Sequence, residues 1–109
     1  MPRYLITASY TSQGAKGLLV EGGSGRKKQV EKMLQSVGGK LEAMYFAYGD
    51  NDVILIADVP DAVSGLALSI TANSSGSVKL TTTPLITVEE VDAACKKTVD
   101  YRPAGAAGV

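Results

Sequence analysis

Residues 53–59, VILIADV, are the segment that most restricts how this chain can fold. Successive side chains of a strand point to opposite faces of its sheet, so positions 53, 55, 57 and 59 share one face. Ile54 and Ile56 then point to the other face, which makes this strand apolar on both sides. A strand of this kind needs cover on two sides, whereas a strand with one wet face alternates apolar and polar residues.

The rest of the chain predicts strands and helices in alternation. Polarity patterns predict strands over about 3–10, 40–48, 52–59 and 77–86, and the turn at 49–51 joins the middle two as a hairpin. Apolar spacing predicts two helices after the first strand, separated at Gly22-Gly23, with Ser24 capping the second. A third helix follows Pro60, and Thr87 with Glu90 forms a capping box for a last one.

The helical spacing also predicts which residues face the core. Asp61 is expected to be an N-cap, and Cys95, four residues after Val91, is expected to be buried on the apolar face of the last helix. The core positions predicted on the two long helices are Val30, Met33, Leu34 and Val37, and then Val63, Leu66, Ala67 and Ile70.

The order of elements is that of a ferredoxin-like βαββαβ sandwich: an α+β domain with a four-stranded antiparallel sheet, helices on one face and an extra C-terminal helix. Residues 1–100 are expected to form this single domain, and 101–109 a flexible C-terminal tail. The chain has no further segment for the second face of the sheet. A second copy is the expected cover, because leaving Ile54 and Ile56 wet forgoes roughly 1.5–3 kcal/mol for each.

Composition argues against several classes of function. The 109 residues carry 11 basic and 11 acidic side chains, a balance unlike that of a nucleic-acid-binding protein. Without histidine and with one cysteine, the chain lacks imidazole catalysis, imidazole metal sites and an internal disulfide. We find no leader-like start and no apolar stretch near 18 residues. We therefore expect a cytoplasmic protein with no membrane partner, no nucleic-acid partner, no metal and no cofactor.

Two charged motifs have simple structural interpretations. EGGSGRKK, residues 21–28, is glycine-rich and basic but matches neither phosphate-loop pattern, so a helix–helix corner is favoured over an anion site. The acidic residues lack the spacing of a calcium loop and are interpreted as turn and cap carboxylates: Asp50, Asp52, Asp58 and Asp61.

Tyrosines and threonines are the remaining candidates for ligand contacts. Their hydroxyls, placed on a sheet wall, would orient a small molecule in an otherwise apolar pocket between sheet and helices. The alternative is that both residue types favour strands and interfaces without binding anything. No catalytic residue can be named. The candidate ligand-binding residues are Tyr10, Tyr45, Tyr48, Thr81, Thr83 and Asp52.

The segment YFAYGDNDVILIADVPD, with YTSQGAKGLLVEGGSGRKKQVEKMLQSVGGKLE before it and ITVEEVDAACKKTVDYRP after it, resembles the GYD domain family. These are small bacterial proteins, and the resemblance runs from about Tyr4 to Pro103. It implies a ferredoxin-like fold of the dimeric α/β-barrel type and a homodimer or higher homo-oligomer. The family signature departs here, because Asn51 stands where the family has tyrosine, between Gly49 and Asp52.

Three functions stay open. The first is a homo-oligomeric protein that binds a small apolar or aromatic molecule, and the second is a structural or regulatory oligomerisation module without a ligand. The third is a cofactor-independent enzyme resembling the monooxygenases or isomerases of the wider barrel group, which also includes haem-handling enzymes and ligand-sensing domains. An enzyme is less favoured than a binding protein, since catalysis would have to use a tyrosine, a carboxylate or the reactivity of the substrate itself.

Overall fold

The computed structural model describes residues 2–105, which form one four-stranded antiparallel sheet and three helices. The strands are β1 (Arg3–Tyr10), β2 (Lys40–Phe46), β3 (Val53–Asp58) and β4 (Val78–Leu85), in the sheet order β2-β3-β1-β4. The helices are α1 (Ser12–Gln35), α2 (Ala62–Ser74) and α3 (Val88–Cys95). The predicted α+β order, βαββαβ followed by a further helix, is confirmed. The expected tail, 101–109, lies partly outside the described residues.

Side-chain caps fix where each helix begins. The Thr11 hydroxyl accepts the Gly14 backbone N–H at 3.3 Å at the start of α1. Asp61 accepts the Ser64 N–H at 2.7 Å at the start of α2, as predicted. Thr87 and Glu90 bond reciprocally at 3.0 and 3.1 Å, so the predicted capping box of α3 is confirmed. These bonds satisfy N–H groups that have no partner within a helix.

Helix α1 has a kink at Gly22. The φ of this residue is 76° and its ψ is 169°, a conformation that favours glycine and interrupts the helix. The predicted break is therefore confirmed. Ser24 does not cap the second segment, because that segment already includes Gly23.

The core lies between α1, α2 and one face of the sheet. Val53, Leu55, Ala57 and Val59 are buried there, together with Val30, Leu34 and Leu68 from the helices. Met33 and Val37 are partly buried against this cluster, so the predicted stripe of α1 is confirmed.

The predicted core face of α2 is wrong. Val63, Leu66 and Ile70 are 77%, 60% and 59% exposed, and Ala67 is also exposed. The inward residues are Gly65 and Leu68. Apolar or small side chains surround most of this helix, so its pattern did not define one inner face. The outcome is fixed by contacts with the edge strand β4, where the Asn73 side chain accepts the Leu80 N–H at 2.7 Å and donates to the Leu80 carbonyl at 3.2 Å.

Cys95 is exposed, which corrects the prediction that its thiol is buried. The whole of α3 is exposed, because the chain leaves the sheet after Leu85 and places this helix outside the core. An apolar stripe on a helix is buried only where the fold packs another surface against it, and α3 lies outside the core.

The second sheet face carries Leu5, Thr7, Ile54 and Ile56, and we call it the open face. Leu5 lies opposite Ile56 and Thr7 opposite Ile54 in the antiparallel pair of β1 and β3. All four are half-buried by their neighbours on the sheet. The predicted division of β3 into two apolar faces is confirmed.

Among the described residues, no helix combines the length and apolarity needed to cross a membrane.

Candidate functional site

A cavity of about 650 Å³ lies between the sheet and the two long helices. Helix α1 packs mainly over β2, and α2 packs over β4, so the two central strands, β3 and β1, lie beneath the gap between them. The floor comes from Ile6 and Ala8 of β1 with Val53 and Leu55 of β3. The fold therefore places an apolar hollow above the middle of the sheet.

The walls of the cavity are mostly apolar. Val30, Met33 and Leu34 line it from α1, and Leu68 and Ala72 line it from α2. Val30, Leu34 and Leu68 also belong to the core and Met33 borders it, so the wall is held by the packing of the whole domain. A wall of this kind favours an apolar ligand, which it would hold by contact area.

Polar groups lie at the α1 end of the cavity. Tyr10, Glu21 and Arg26 all line it, and Arg26 Nη1 lies 3.5 Å from Glu21 Oε2. Both charged side chains are roughly one-third exposed, so their attraction is screened by water. Burial raises the pKa of the Tyr10 hydroxyl, and the nearby carboxylates add to this effect while Arg26 opposes it. Tyr10 is therefore neutral at physiological pH, and its hydroxyl has the chemistry to donate or accept a hydrogen bond.

The α2 side of the cavity supplies hydroxyls. Thr71, Ser75 and Thr82 line it, and the Thr82 hydroxyl is 2.6 Å from the Ser69 hydroxyl. Thr82 reaches the cavity because it lies opposite Ile6 in the β1–β4 pair, and Ile6 faces the core. The cavity thus has polar atoms at two sides and an apolar floor.

A smaller cavity of about 450 Å³ adjoins the first near the kink of α1. Tyr10 and Leu18 line both cavities, and the other residues of the smaller one include Phe46, Gly23 and Asp52. Tyr10 therefore stands between the two spaces, at the end of β1.

Asp52 is held by the fold rather than left free for a ligand. Its Oδ2 accepts the Tyr10 backbone N–H at 2.8 Å, and its own N–H donates to the Ala8 carbonyl at 2.8 Å. Its carbonyl accepts the Ala47 N–H at 2.8 Å. The last residue of the hairpin signature thus joins β2, β3 and the end of β1.

The structure brings together only two of the six predicted ligand residues, Tyr10 and Asp52. Thr81 lies opposite Thr7, and Thr83 lies opposite Leu5, so both are on the open face. Tyr45 lies opposite Ile54 on that same face and is 70% exposed. Tyr48 follows β2 in the hairpin loop and is fully exposed.

Sequence reasoning missed the charged pair Glu21–Arg26 and the hydroxyl of Thr82. The pair was interpreted as part of a solvated corner, because no sequence pattern shows that the kink turns it towards the sheet. Thr82 sits between two candidates, Thr81 and Thr83, and only the pairing of β4 with β1 decides which of the three faces the helices.

The GYD domain model matches residues 4–95, from the second residue of β1 to the end of α3. Comparison with functionally curated proteins gives no match. The match spans all four strands and includes the hairpin that Asp52 anchors, and it covers most of the chain. This protein is therefore a member of the GYD domain family.

Proposed function

We propose that this protein binds a small, uncharged molecule with an apolar body of aromatic size in the cavity between sheet and helices. The observation that carries the proposal is the cavity itself. Its volume of about 650 Å³ falls in the range of roughly 300–1,000 Å³ typical of small-molecule sites. Its apolar walls and few polar groups also match that class of site.

The charges at the cavity favour a neutral ligand. Arg26 and Glu21 lie close enough to compensate each other, so a charged ligand would have to compete with an existing partner. The hydroxyls of Tyr10 and Thr71 are suited to orient a carbonyl or phenol group, one at either side. The Ser75 hydroxyl already donates to the Ala72 carbonyl and accepts the Ser77 N–H.

The same groups favour binding over catalysis. A general base works best with a pKa near the working pH, and the pKa of Tyr10 is moved upward, away from that range. Asp52 already accepts a backbone N–H, which reduces its availability as a base. An enzyme of the monooxygenase or isomerase kind would depend on the reactivity of its substrate.

Filling the cavity is the direct test. In a thermal-shift screen of small aromatic and carbonyl compounds, hits on the native protein should be lost in Ala72→Phe, whose ring enters the cavity. Ala62→Phe at the exposed start of α2 is the matched control and should keep the hits. Tyr10→Phe should lower the affinity for carbonyl compounds by about tenfold, which is the effect of losing one hydrogen bond. Tyr45→Phe should leave this affinity unchanged. Equal binding by Ala72→Phe and the native chain would refute the site.

An oligomerisation module without a ligand is the second candidate, and the open face favours it. We propose that a second copy covers Leu5, Ile54 and Ile56, as the homo-oligomer expected from the sequence requires. Light scattering should give a mass at least twice the 11.3 kDa of the chain. Ile54→Asp should lower that mass, and Leu19→Asp, which changes an exposed apolar residue of α1, should not. Oligomers without any ligand hits would favour this second function.

We also propose that the protein resides in a bacterial cytoplasm. The single cysteine is exposed, and a reducing compartment keeps such a thiol free. Cell fractionation with alkylation of free thiols would test this, and a membrane or periplasmic pool of oxidised protein would contradict it.

A further inference from the structure

Helix α2 carries an apolar stripe that residues 2–105 leave exposed. The stripe consists of Val63, Leu66, Ala67 and Ile70, all exposed, at the i, i+3, i+4 and i+7 spacing of one helix face. We call it the outer stripe. No residue of α2 carries a charge, so nothing on this helix opposes burial of the stripe.

A second uncovered stripe lies on α3. Val88, Val91 and Cys95 share one face of this helix and are exposed. They belong to a C-terminal arm, residues 86–105, in which every residue is exposed. The described chain measures 63 × 29 × 23 Å, and its radius of gyration of 18.0 Å exceeds the roughly 13 Å of a compact domain of this size. The arm therefore extends away from the body.

An arm of this kind needs a partner to remain ordered. Isolated helices shorter than about 12–15 residues are marginal in water, and α3 has eight residues. The capping box of Thr87 and Glu90 stabilises its first turn, but most helical stability in proteins comes from packing of the apolar face.

We propose that α3 of one copy packs against the outer stripe of α2 in a second copy. Both stripes are apolar and helical, with residues at i, i+3 and i+7, and both belong to this chain; the i+4 position is Ala67 on α2 and Asp92 on α3. Two copies can therefore make the contact twice, each donating one arm and accepting the other, which gives a closed, two-fold dimer. This contact is separate from the ligand cavity and from the open face.

The hinge favours a second copy over folding back. Only Ile86 and Thr87 separate β4 from α3, and Thr87 is extended, with φ −75° and ψ 158°. This conformation continues the direction of β4 and carries α3 past the end of the sheet. Short hinges of this kind favour exchange between copies, because closure onto the same chain would need a sharp reversal within two residues.

Cross-linking through the native cysteine tests the contact. Leu66→Cys places a second thiol on the outer stripe. Leu66 is exposed, so the chain should still fold with this substitution. A short bifunctional maleimide is then added to the variant at micromolar protein concentration. We expect a covalent dimer linked Cys95 to position 66, identified by peptide mass spectrometry. The native chain gives the background from Cys95 alone, and Leu19→Cys on α1 is the matched control for an exposed apolar position.

A charge in the outer stripe provides a second, independent test of the contact. Adding Ile70→Asp to Leu66→Cys should lower the dimer yield by about tenfold, the effect expected when a buried apolar side chain is replaced by a charge at the contact. Adding Leu19→Asp instead should leave the yield unchanged. A link between Cys95 and position 66 within one chain would overturn the second copy as partner. A yield no greater than that of Leu19→Cys would overturn the contact itself.

Discussion

At the scale of single residues, Asp52 shows why a signature residue can matter without touching a ligand. Its carboxylate accepts the Tyr10 N–H and so fixes the last residue of β1 beside the hairpin. Asp52→Ala would leave this N–H without its partner, and we expect a loss of about 1–3 kcal/mol in the free energy of unfolding. Urea denaturation measures this free energy. Asp52→Asn keeps an acceptor oxygen, so it should lose less stability than Asp52→Ala. Equal losses in the two variants would contradict the role of the hydrogen bond.

Gly14 and Gly17, one turn apart in α1, should respond to alanine in opposite ways. A methyl group at Gly14 would overlap the Ser77 carbonyl oxygen and press on the Tyr10 ring, whereas one at Gly17 meets no atom within 4 Å. We expect Gly14→Ala to cost about 1–3 kcal/mol of stability by overpacking. Gly17→Ala should add roughly 0.5–1 kcal/mol, because glycine is a poor helix former. Stabilisation by Gly14→Ala would show that the start of α1 is not packed against the α2–β4 turn.

At the scale of elements, the kink of α1 is the feature that shapes the cavities. Gly22 has φ 76°, a conformation that costs a side-chain-bearing residue about 1–3 kcal/mol. Gly22→Ala should therefore destabilise the protein by that amount and straighten the helix. Gly23→Ala is the matched control, because its methyl group would make an ordinary contact with Phe46 at 3.4 Å. Chemical denaturation and far-UV circular dichroism measure both effects, and similar stabilities of the two variants would contradict the prediction.

At the scale of the whole molecule, stability should be constant near neutral pH and fall at both extremes. No histidine is present, so no side chain is expected to titrate between about pH 5 and 7.5 with a large effect on folding. The pKa of Asp58 is lowered because Arg3 donates a hydrogen bond to it, and the pKa values of Asp61 and Glu90 are lowered by backbone N–H groups. The stabilisation from these carboxylates is present above about pH 4 and is lost as the pH falls through their folded values.

At alkaline pH, stability is lost as the pH rises rather than as it falls. Burial raises the pKa of Tyr10, so its contribution is present below about pH 10 and is lost as the pH rises through the folded value. Urea midpoints measured from acid to alkaline pH should form a plateau with two falling limbs. In Asp58→Asn, the urea midpoint should fall less at acid pH than it does in the native protein. A midpoint that moved strongly within the plateau would contradict this account.

The sequence by itself determined the features that depend on neighbours along the chain. The two apolar faces of β3, the caps at Asp61 and Thr87 and the break at Gly22 all follow from local spacing or local backbone preference. For the same reason the element order, and with it the fold class, could be predicted.

Tertiary structure alone decided which surfaces meet. The outer stripe of α2 and the stripe of α3 have the spacing of core faces, yet both are exposed, because periodicity shows that a helix has an apolar face and not what that face contacts. Tyr45, Thr81 and Thr83 fell on the open face, and Thr82 at the cavity, because strand alternation is local whereas the pairing register is not. Four of the six predicted ligand residues therefore line neither cavity, because the cavities are built by contacts between residues distant in sequence, which no local pattern encodes.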